Sequence, residues 1–493
     1  MGIIKRQGIQ NSIISYAGVI LGYINLIILF PKVLSIDQVG LTRILPDIAL
    51  ILAQLSALGF GNAGIKYFPF FRDKARGHHN FLLLFLGVPL GGFLIIISIY
   101  HLFKPTFLGY LGKDEKLLIA YNYYIVPLSF FTLFYNLFTA YLTSLYKTVV
   151  PSFTKDFLLR LGTTACILLY YFHLISFEIF LFLFIGVNCA ITIVLFVYLV
   201  WLKQFHIKFD QVPLQDKPIK PMIRYGLYAF MGNISGIIIT IIDKFMITHF
   251  QNLGSVGVYS TCLNVASVIL IMGSSILKIA LPQIADYWKS ADMVGMQKLY
   301  KQVSRLNLVM GCLLFIGIWA NIHNLFAFLP PEYAAGKYVI LFVCAGRLFD
   351  LATGINGAIL LTSSHYRYDL LFNVLLSVLT ILANNFFIPR YGIIGAGFVF
   401  FGVFTLINLL RVICVWVFYK IQPFDRTSLY IILLAGIAYV VGALLPIFEN
   451  PFLDIILRSG IISILYGAGI LTLNLAPEIT EKYTGFLRKK KNF

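Results

Sequence analysis

Apolar runs long enough to cross a membrane follow one another along the whole chain and constrain its fold more than any other feature. About 20 residues of α-helix span the roughly 30 Å hydrocarbon core of a bilayer. The pattern predicts an all-α polytopic membrane protein with about 14 transmembrane helices. This count takes the 150–202 block as two spans, although only a short polar segment separates them. The runs lie at residues 9–31, 44–66, 80–102, 117–143, 150–172, 174–202, 219–248, 255–281, 303–327, 334–362, 366–388, 392–419, 427–447 and 455–476.

The composition agrees with this class, because a soluble protein of this size needs a polar surface. Of the 493 residues, 59% are hydrophobic and 12% are charged. The first apolar run is too long for the core of a signal peptide, so we expect a retained span. The six cysteines all lie in apolar runs without paired spacing, which is typical of small buried side chains rather than of disulfides or metal ligands.

The basic residues are concentrated on one side of the predicted spans. If the chain starts in the cytoplasm, roughly 25 of the 38 Lys and Arg residues fall in cytoplasmic segments, about 8 in external segments and about 5 within spans. This bias predicts an even number of spans with both termini in the cytoplasm. The net charge of +18 then reflects topology and attraction to anionic membrane lipids. Nucleic acid is not an expected partner, because no soluble basic face is predicted.

The first stretch of the chain is echoed about 218 positions later. Both copies start beside basic residues, which predicts a parallel repeat about an axis along the membrane normal. Chance coincidence of a few glycines is the alternative explanation. The matched pairs are Gly8 with Gly226, Gly18 with Gly236, and Asn25 with Asp243.

The repeat and the proline-rich 206–221 segment predict two six-helix lobes followed by two further helices. All connections between spans are short, so a soluble catalytic domain is not expected. The predicted division is an N-lobe at 1–205, a cytoplasmic linker at 206–221, a C-lobe at 222–421, and the last two helices with a basic C-terminal tail at 422–493.

Three glycine patterns have both a specific and an ordinary interpretation. The Gly59–Gly64 segment has the letters G-x-G-x-x-G, but it ends an apolar helix, whereas a dinucleotide site needs a strand before the motif. We therefore expect helix packing or a break in the helix there. Gly18 with Gly22, and Gly232 with Gly236, have the small-residue spacing that lets transmembrane helices approach closely.

Ionisable residues inside the predicted spans are the candidate site residues, since each costs a few kcal/mol unless it faces protein or water. One interpretation is local neutralisation or snorkelling to the headgroups. The other is a water-filled cavity whose bases hold an anion and whose acids carry a coupling ion. The candidate substrate-binding residues are Arg43, Arg160, Lys244 and Arg347, and the candidate ion-coupling residues are Asp47, Asp243 and Asp350. No catalytic or metal-binding motif stands out, so neither enzymatic activity nor a metal or other cofactor is expected.

The architecture and the opening residues resemble the polysaccharide-type flippases of the multidrug/oligosaccharidyl-lipid/polysaccharide exporter superfamily, which includes the multidrug extrusion (MATE) transporters. The resemblance covers nearly the whole chain as a pattern, but only about the first 75 residues as letters. The residues that carry it are Lys5-Arg6-Gln7-Gly8-Ile9, Gly18, Asn25, Pro31, Gly40-Leu41 and Ile65-Lys66-Tyr67-Phe68-Pro69.

This resemblance implies two lobes that open alternately inward and outward across a bacterial cytoplasmic membrane. The implied substrate is an undecaprenyl-pyrophosphate-linked oligosaccharide, such as an O-antigen, capsule or exopolysaccharide repeat unit, moved to the outer leaflet. Coupling to H⁺ or Na⁺ and other polysaccharide-assembly proteins as partners are further expectations. The related peptidoglycan-precursor flippases use arginines in their first two helices, but the first helix here carries Asn25 and no arginine, so that role is not carried over.

Two alternatives remain open at the level of sequence. A multidrug or cation antiporter of the same superfamily would call for a cavity dominated by acids, whereas the bases within these spans at least match the acids in number. A membrane-embedded polysaccharide polymerase would require a sizeable outer loop to hold the sugar, and the longest predicted outer connection covers only residues 103–116.

Overall fold

The structure is a computed structural model that describes residues 14–73, 77–111, 116–206, 218–478 and 480. Within these residues every regular element is helical, which confirms the predicted all-α class. The basic opening at Lys5-Arg6 with Gly8, most of the predicted linker, and the basic run at 488–491 lie outside the described residues.

Two helices of the first half of the chain adjoin π-helical segments. The segment Ile24–Leu29 interrupts the first helix, and the segment Phe153–Leu158 precedes the helix that begins at Leu159. In chain order the helices of this half are α1 (Ile14–Val33), α2 (Ile36–Ala57), α3 (Phe60–Tyr67), α4 (Phe81–Leu111), α5 (Lys116–Ser144), α6 (Leu159–Tyr171), α7 (Phe177–Trp201), α8 (Ile219–Phe250) and α9 (Leu253–Ser267).

The second half continues the same pattern, with a 3₁₀ segment at Pro331–Gly336. Its helices are α10 (Leu270–Ser290), α11 (Met293–Ala320), α12 (Ile322–Ala327), α13 (Lys337–Ala352), α14 (Asn356–Thr362), α15 (Tyr366–Tyr419), α16 (Arg426–Leu444) and α17 (Pro451–Thr472).

Ten helices of the described part are long and apolar enough to cross a membrane, or eleven when the bent pair Pro331–Ala352 and Asn356–Thr362 is counted as one span. The 54-residue α15 contains two predicted spans, 366–388 and 392–419, because Gly392 (φ 60°, ψ −141°) interrupts its helical geometry. The predicted fifth and eighth spans correspond to short helices, α6 with its π-helical lead and α9 with the start of α10.

By its internal contacts the chain forms two compact units, Met1–Thr261 and Cys262–Phe493. The first unit includes α8, which packs against α2 and α3. The predicted lobes, with their boundary in the 206–221 linker, are a different division and stay a prediction.

The core of the first unit is formed around α2. A Ser35–Gln38 capping box starts this helix, because the Ser35 side chain accepts from the Gln38 N–H while the Gln38 side chain accepts from the Ser35 N–H. Buried side chains of α2 then pack with buried side chains of α7 in one cluster that includes Leu41, Ile48 and Phe180. This packing fixes the face that α2 turns toward its neighbours.

The predicted close approach at Gly18 and Gly22 is confirmed. A Cβ atom at Gly18 would collide with the backbone oxygen of Asp156, and one at Gly22 would collide with the guanidinium of Arg160. The small residues therefore let α1 lie directly against α6 and its π-helical lead, which brings Arg160 next to the α1 backbone.

The Gly59–Gly64 segment forms a break between α2 and α3, as predicted. Leu58 (φ 47°) and Gly59 (φ 74°) both adopt left-handed backbone conformations. Of the two, Gly59 adopts this conformation without steric cost, because it has no Cβ atom. A Cβ atom at Gly59 would also collide with the backbone oxygen of Gly226 on α8. The glycine that begins this motif thus permits a bend in the chain and a close contact between helices.

In the second unit an apolar core packs the last two helices against α11, and a buried ion pair joins these two helices to each other. Tyr466 of α17 is buried and donates a hydrogen bond to the Val309 backbone oxygen at 3.1 Å. Within α17, Arg458 contacts both carboxylate oxygens of Asp454, at 2.9 and 3.0 Å, and also donates to backbone oxygens at the end of α16, including that of Gly442. Arg458 therefore caps α16 from inside the protein.

We expect Arg458→Leu to lower thermal stability strongly, because the Asp454 carboxylate, with its side chain 1% exposed, would lose its charge partner. Breaking a buried pair in this way costs about 3–5 kcal/mol. Thermal unfolding of the purified protein in detergent measures the loss. Arg426→Leu, which removes an exposed arginine, is the control, and equal midpoints for the two variants would contradict the structural role of the pair.

Candidate functional site

Four of the seven sequence-predicted site residues line one cavity of about 300 Å³ in the first unit. Arg43 and Asp47 come from α2, Arg160 from α6 and Lys244 from α8. Residues far apart in sequence thus meet in a single place. Their roles as substrate-binding or ion-coupling residues remain predictions.

Helix periodicity explains the contribution of α2. Arg43 and Asp47 are four residues apart and therefore lie on the same face, one turn from each other. The guanidinium of Arg43 lies 5.0 Å from the centre of the Phe30 ring, a distance suited to a cation–π interaction. The aromatic ring thus holds the cationic group at the cavity wall.

Lys244 and Asp47 form an ion pair across the cavity, with 2.7 Å between Nζ and Oδ2. Their side chains are 15% and 16% exposed, so both are partly shielded from water. A predicted substrate-binding base and a predicted ion-coupling acid are therefore direct partners. An anion that binds Lys244 would share its ammonium group, which has three N–H donors, with the Asp47 carboxylate.

Asn25 positions the backbone around Arg160. Its Nδ2 donates to the Arg160 backbone oxygen at 2.9 Å and to Thr163 Oγ1 at 3.1 Å, while its Oδ1 accepts from Thr164 Oγ1 at 2.9 Å. These bonds satisfy a side chain that is 2% exposed and tie α1 to α6. The guanidinium of Arg160 packs against the backbone of Gly22, and a Cβ atom there would displace it from this position.

Four uncharged polar residues of the cavity wall were not among the predicted site residues, namely Asn25, Thr42, Thr163 and Asn188. The amide of Asn188 donates to the Phe184 backbone oxygen at 2.8 Å, and the hydroxyl of Thr42 donates to that of Val39 at 2.8 Å. Each of these residues satisfies a donor locally and adds a polar group to the wall. The sequence signal was a lone amide or hydroxyl inside an apolar run, which is weaker than a charge.

Asp243 neighbours Lys244 in sequence but does not line this cavity. It is buried on another side of α8, where its Oδ2 accepts a hydrogen bond of 2.7 Å from the Tyr259 hydroxyl of α9. The contact joins two consecutive helices of the first unit. Asp243 as an ion-coupling residue stays a prediction.

Arg347 and Asp350 belong to a cluster in the second unit. The guanidinium of Arg347 lies 4.6 Å from the Phe400 ring centre and 5.3 Å from that of Phe404. Asp350 Oδ1 accepts a 3.0 Å hydrogen bond from the Asn408 amide. Thus each of these predicted residues has a polar or aromatic partner on α15.

The cavity of the first unit favours anions. Three bases and one acid line it, and the acid is already bound to one of the bases. Arg and Lys side chains in a poorly hydrated wall give strong, charge-assisted hydrogen bonds to phosphate or carboxylate oxygens. An organic cation would meet net repulsion in the same place.

Comparisons with known proteins agree with this architecture. Residues 4–288 match the profile of a family described as Polysaccharide biosynthesis protein. An uncharacterised membrane protein of Methanocaldococcus jannaschii is 22% identical over 480 residues, which covers 89% of each chain.

Among solved structures, the lipid II flippase MurJ in an inward closed conformation has a TM-score of 0.76 at 14% identity, covering 94% of this chain and 98% of that one. An inward-facing multidrug resistance MATE family transporter of the MOP superfamily has a TM-score of 0.61 at 12% identity, covering 81% of this chain and 94% of that one. These likenesses establish the fold, which is the one that the sequence predicts.

We expect Lys244→Met to destabilise the protein and Asp47→Asn to restore much of the loss, because the single change leaves a shielded carboxylate without its ammonium partner. Contacting charges typically show interaction energies of about 0.5–3 kcal/mol in double-mutant cycles. Thermal unfolding of both single variants and the double variant measures this energy. Lys289→Met, at an exposed position, serves as the control, and strictly additive effects of the Asp47 and Lys244 changes would contradict the pair.

Proposed function

We propose, since the chain belongs to the polysaccharide biosynthesis protein family, that it moves a polyprenyl-pyrophosphate-linked oligosaccharide from the inner to the outer leaflet of a bacterial cytoplasmic membrane. The observation that carries the proposal is the anion-favouring cavity of Arg43, Asp47, Arg160 and Lys244 within a transporter fold. O-antigen, capsule and exopolysaccharide repeat units all have this chemistry. Alternating access is the mechanism that the fold supports.

The energetic problem of such a substrate lies in its headgroup. Pyrophosphate and sugar hydroxyls lose their hydrogen bonds to water when they enter hydrocarbon, whereas the apolar polyprenyl tail is readily accommodated by it. A polar cavity replaces the lost bonds while the tail stays in the lipid. A wall with three bases does this for the phosphates, whose oxygens accept charge-assisted hydrogen bonds.

The Lys244–Asp47 pair gives the cavity a means of responding to its substrate. A pyrophosphate that binds Lys244 weakens the hold of this ammonium on Asp47. The carboxylate is then available to a proton or Na⁺, which couples substrate binding to ion binding in one place. On this proposal Arg43 and Arg160 stay with the phosphates, and Asp47 changes its partner.

The candidates in the other clusters enter the proposal separately. Arg347 and Asp350 would act in the second unit, where Arg347 is held over Phe400 and Phe404. Asp243 would bind a coupling ion only if it exchanged its hydrogen bond with Tyr259. Other polysaccharide-assembly proteins are the expected partners of a flippase with this substrate.

The test is headgroup translocation in liposomes that contain the purified protein. The substrate is the lipid-linked oligosaccharide extracted from the strain that carries the gene, and its accessibility to an external glycosidase reports flipping. We expect Arg43→Gln and Lys244→Met to slow flipping by about tenfold or more, because a hydrogen bond to a charged group contributes about 1.5–3 kcal/mol. Arg347→Ala tests the second unit independently.

Lys289→Met is the control for these variants and should flip at the wild-type rate. Proton-coupled efflux of an organic cation, with no flipping of the lipid-linked oligosaccharide, would overturn the proposal in favour of a multidrug antiporter. That outcome would make Asp47, rather than the bases, the primary group of the cavity.

A further inference from the structure

A second cleft, of about 480 Å³, lies in the first unit among α2, α3, α5 and α8. Its lining differs in chemistry from that of the charged cavity. No Asp, Glu, Lys, Arg or His is among the described residues that line it. Its polar side chains are all neutral amides or hydroxyls, namely Gln54, Asn62, Asn136, Thr139, Thr143 and Asn233.

Two of these amides have no protein partner in the described part of the chain. Gln54 and Asn136 are partly buried and line the cleft, and neither side chain makes a hydrogen bond to a described residue. Their amide nitrogen and oxygen atoms are not among the buried, unsatisfied polar atoms of the described residues, so they are open to the cleft. These accessible donors and acceptors are available to form hydrogen bonds with a polar occupant.

Asn62 and Asn233 add a second pair of amides. Asn62 Nδ2 donates to Asn233 Oδ1 at 3.3 Å, which joins α3 to α8. An amide group offers two N–H donors and an oxygen with two lone pairs. Each of the two side chains therefore keeps hydrogen-bonding capacity beyond this single contact.

Glycines widen the cleft on α8. The Gly232 and Gly236 pair was expected to be a helix-packing motif, but a Cβ atom on either would meet no described atom within 4 Å. The packing prediction is therefore wrong for this pair, in contrast to Gly18 and Gly22. Both glycines line the cleft, so their missing side chains leave room for an occupant.

The cleft and the charged cavity follow one another along the same two helices. Asp47 of the cavity and Gln54 of the cleft are seven residues apart, which places them on one face of α2 at about 10 Å from each other along the axis. Lys244 and Gly236 are eight residues apart on α8, a separation of about 12 Å. A ligand with a charged part directly followed by a neutral polar part fits this order.

We propose that this cleft binds the uncharged sugar residues next to the pyrophosphate of a lipid-linked oligosaccharide. The inference rests on the proposed function and adds a sugar subsite to it. A sugar hydroxyl both donates and accepts, as does an amide, so the two match in several orientations. A phosphate would find no positive charge here, and a lipid tail would leave the amides unsatisfied.

Binding of two probes separates sugar recognition from phosphate recognition. One probe is undecaprenyl pyrophosphate without sugar, and the other is the lipid-linked oligosaccharide extracted from the strain that carries the gene. Native mass spectrometry of the full chain in detergent gives the affinity of each. We expect Asn136→Leu with Gln54→Leu, and separately Gly236→Val, to weaken binding of the oligosaccharide probe about tenfold or more and to leave the sugar-free probe unchanged.

Gly91→Val is the matched control, because Gly91 is also exposed and a Cβ atom there also meets open space, but it does not line the cleft. Asn136→Gln keeps the amide and should retain more affinity than Asn136→Leu. Equal losses for both probes, or no loss for either, would overturn the sugar subsite even if flipping is established. Thermal midpoints show whether each variant is folded, and the Gly236 variant provides a test that keeps both amides.

Lys244→Met distinguishes the two proposals. This substitution should weaken the binding of both probes, since both carry the pyrophosphate. If it weakens the binding of neither probe while the cleft variants still bind the oligosaccharide probe less tightly, the phosphate role of the charged cavity fails and the sugar subsite stands. If the wild-type chain binds neither probe, both proposals fail.

Discussion

The cost of placing a polar or charged group in hydrocarbon governs this structure. Each ionisable side chain within a span must find a partner or water, and several of those in the described part of the chain pair within their own unit. Asp454 with Arg458, Asp369 with Arg411, and Asp47 with Lys244 are three solutions to the same problem, with N–O distances of 2.9, 3.0 and 2.7 Å. They differ in how completely the surrounding protein satisfies them.

That difference separates structural pairs from candidate functional ones. Arg458 bonds two carboxylate oxygens and several backbone oxygens, and Asp454 also accepts from Asn324 and the Phe448 N–H. No ligand could enter without breaking this network. The Lys244–Asp47 pair instead faces a cavity that further bases share, so exchange of partners is physically open to it. Saturation of hydrogen bonds, rather than burial alone, is the useful criterion.

Hydropathy was enough to predict the helices, because membrane thickness sets their length, and it even separated the two spans that α15 joins across Gly392. It also selected Arg43, Asp47, Arg160 and Lys244 as charges within spans. It could not pair Asp47 with Lys244, 197 residues away, since that contact depends on packing. For the same reason the glycine spacing predicted close packing correctly at Gly18 and wrongly at Gly236. Small residues make an approach possible without requiring one.

If the proposed function is right, the distribution of polar groups along α2 and α8 follows from what a glycolipid headgroup demands. Phosphate charges are few and strong, and a small number of bases can satisfy them. Sugar hydroxyls are numerous and weak, and charged partners would themselves need neutralising inside the membrane. Neutral amides avoid that second cost while still offering donors and acceptors. A chain that must hold both chemistries therefore gains by separating them by two helical turns, as Asp47 and Gln54 are separated, rather than by mixing them in one cavity.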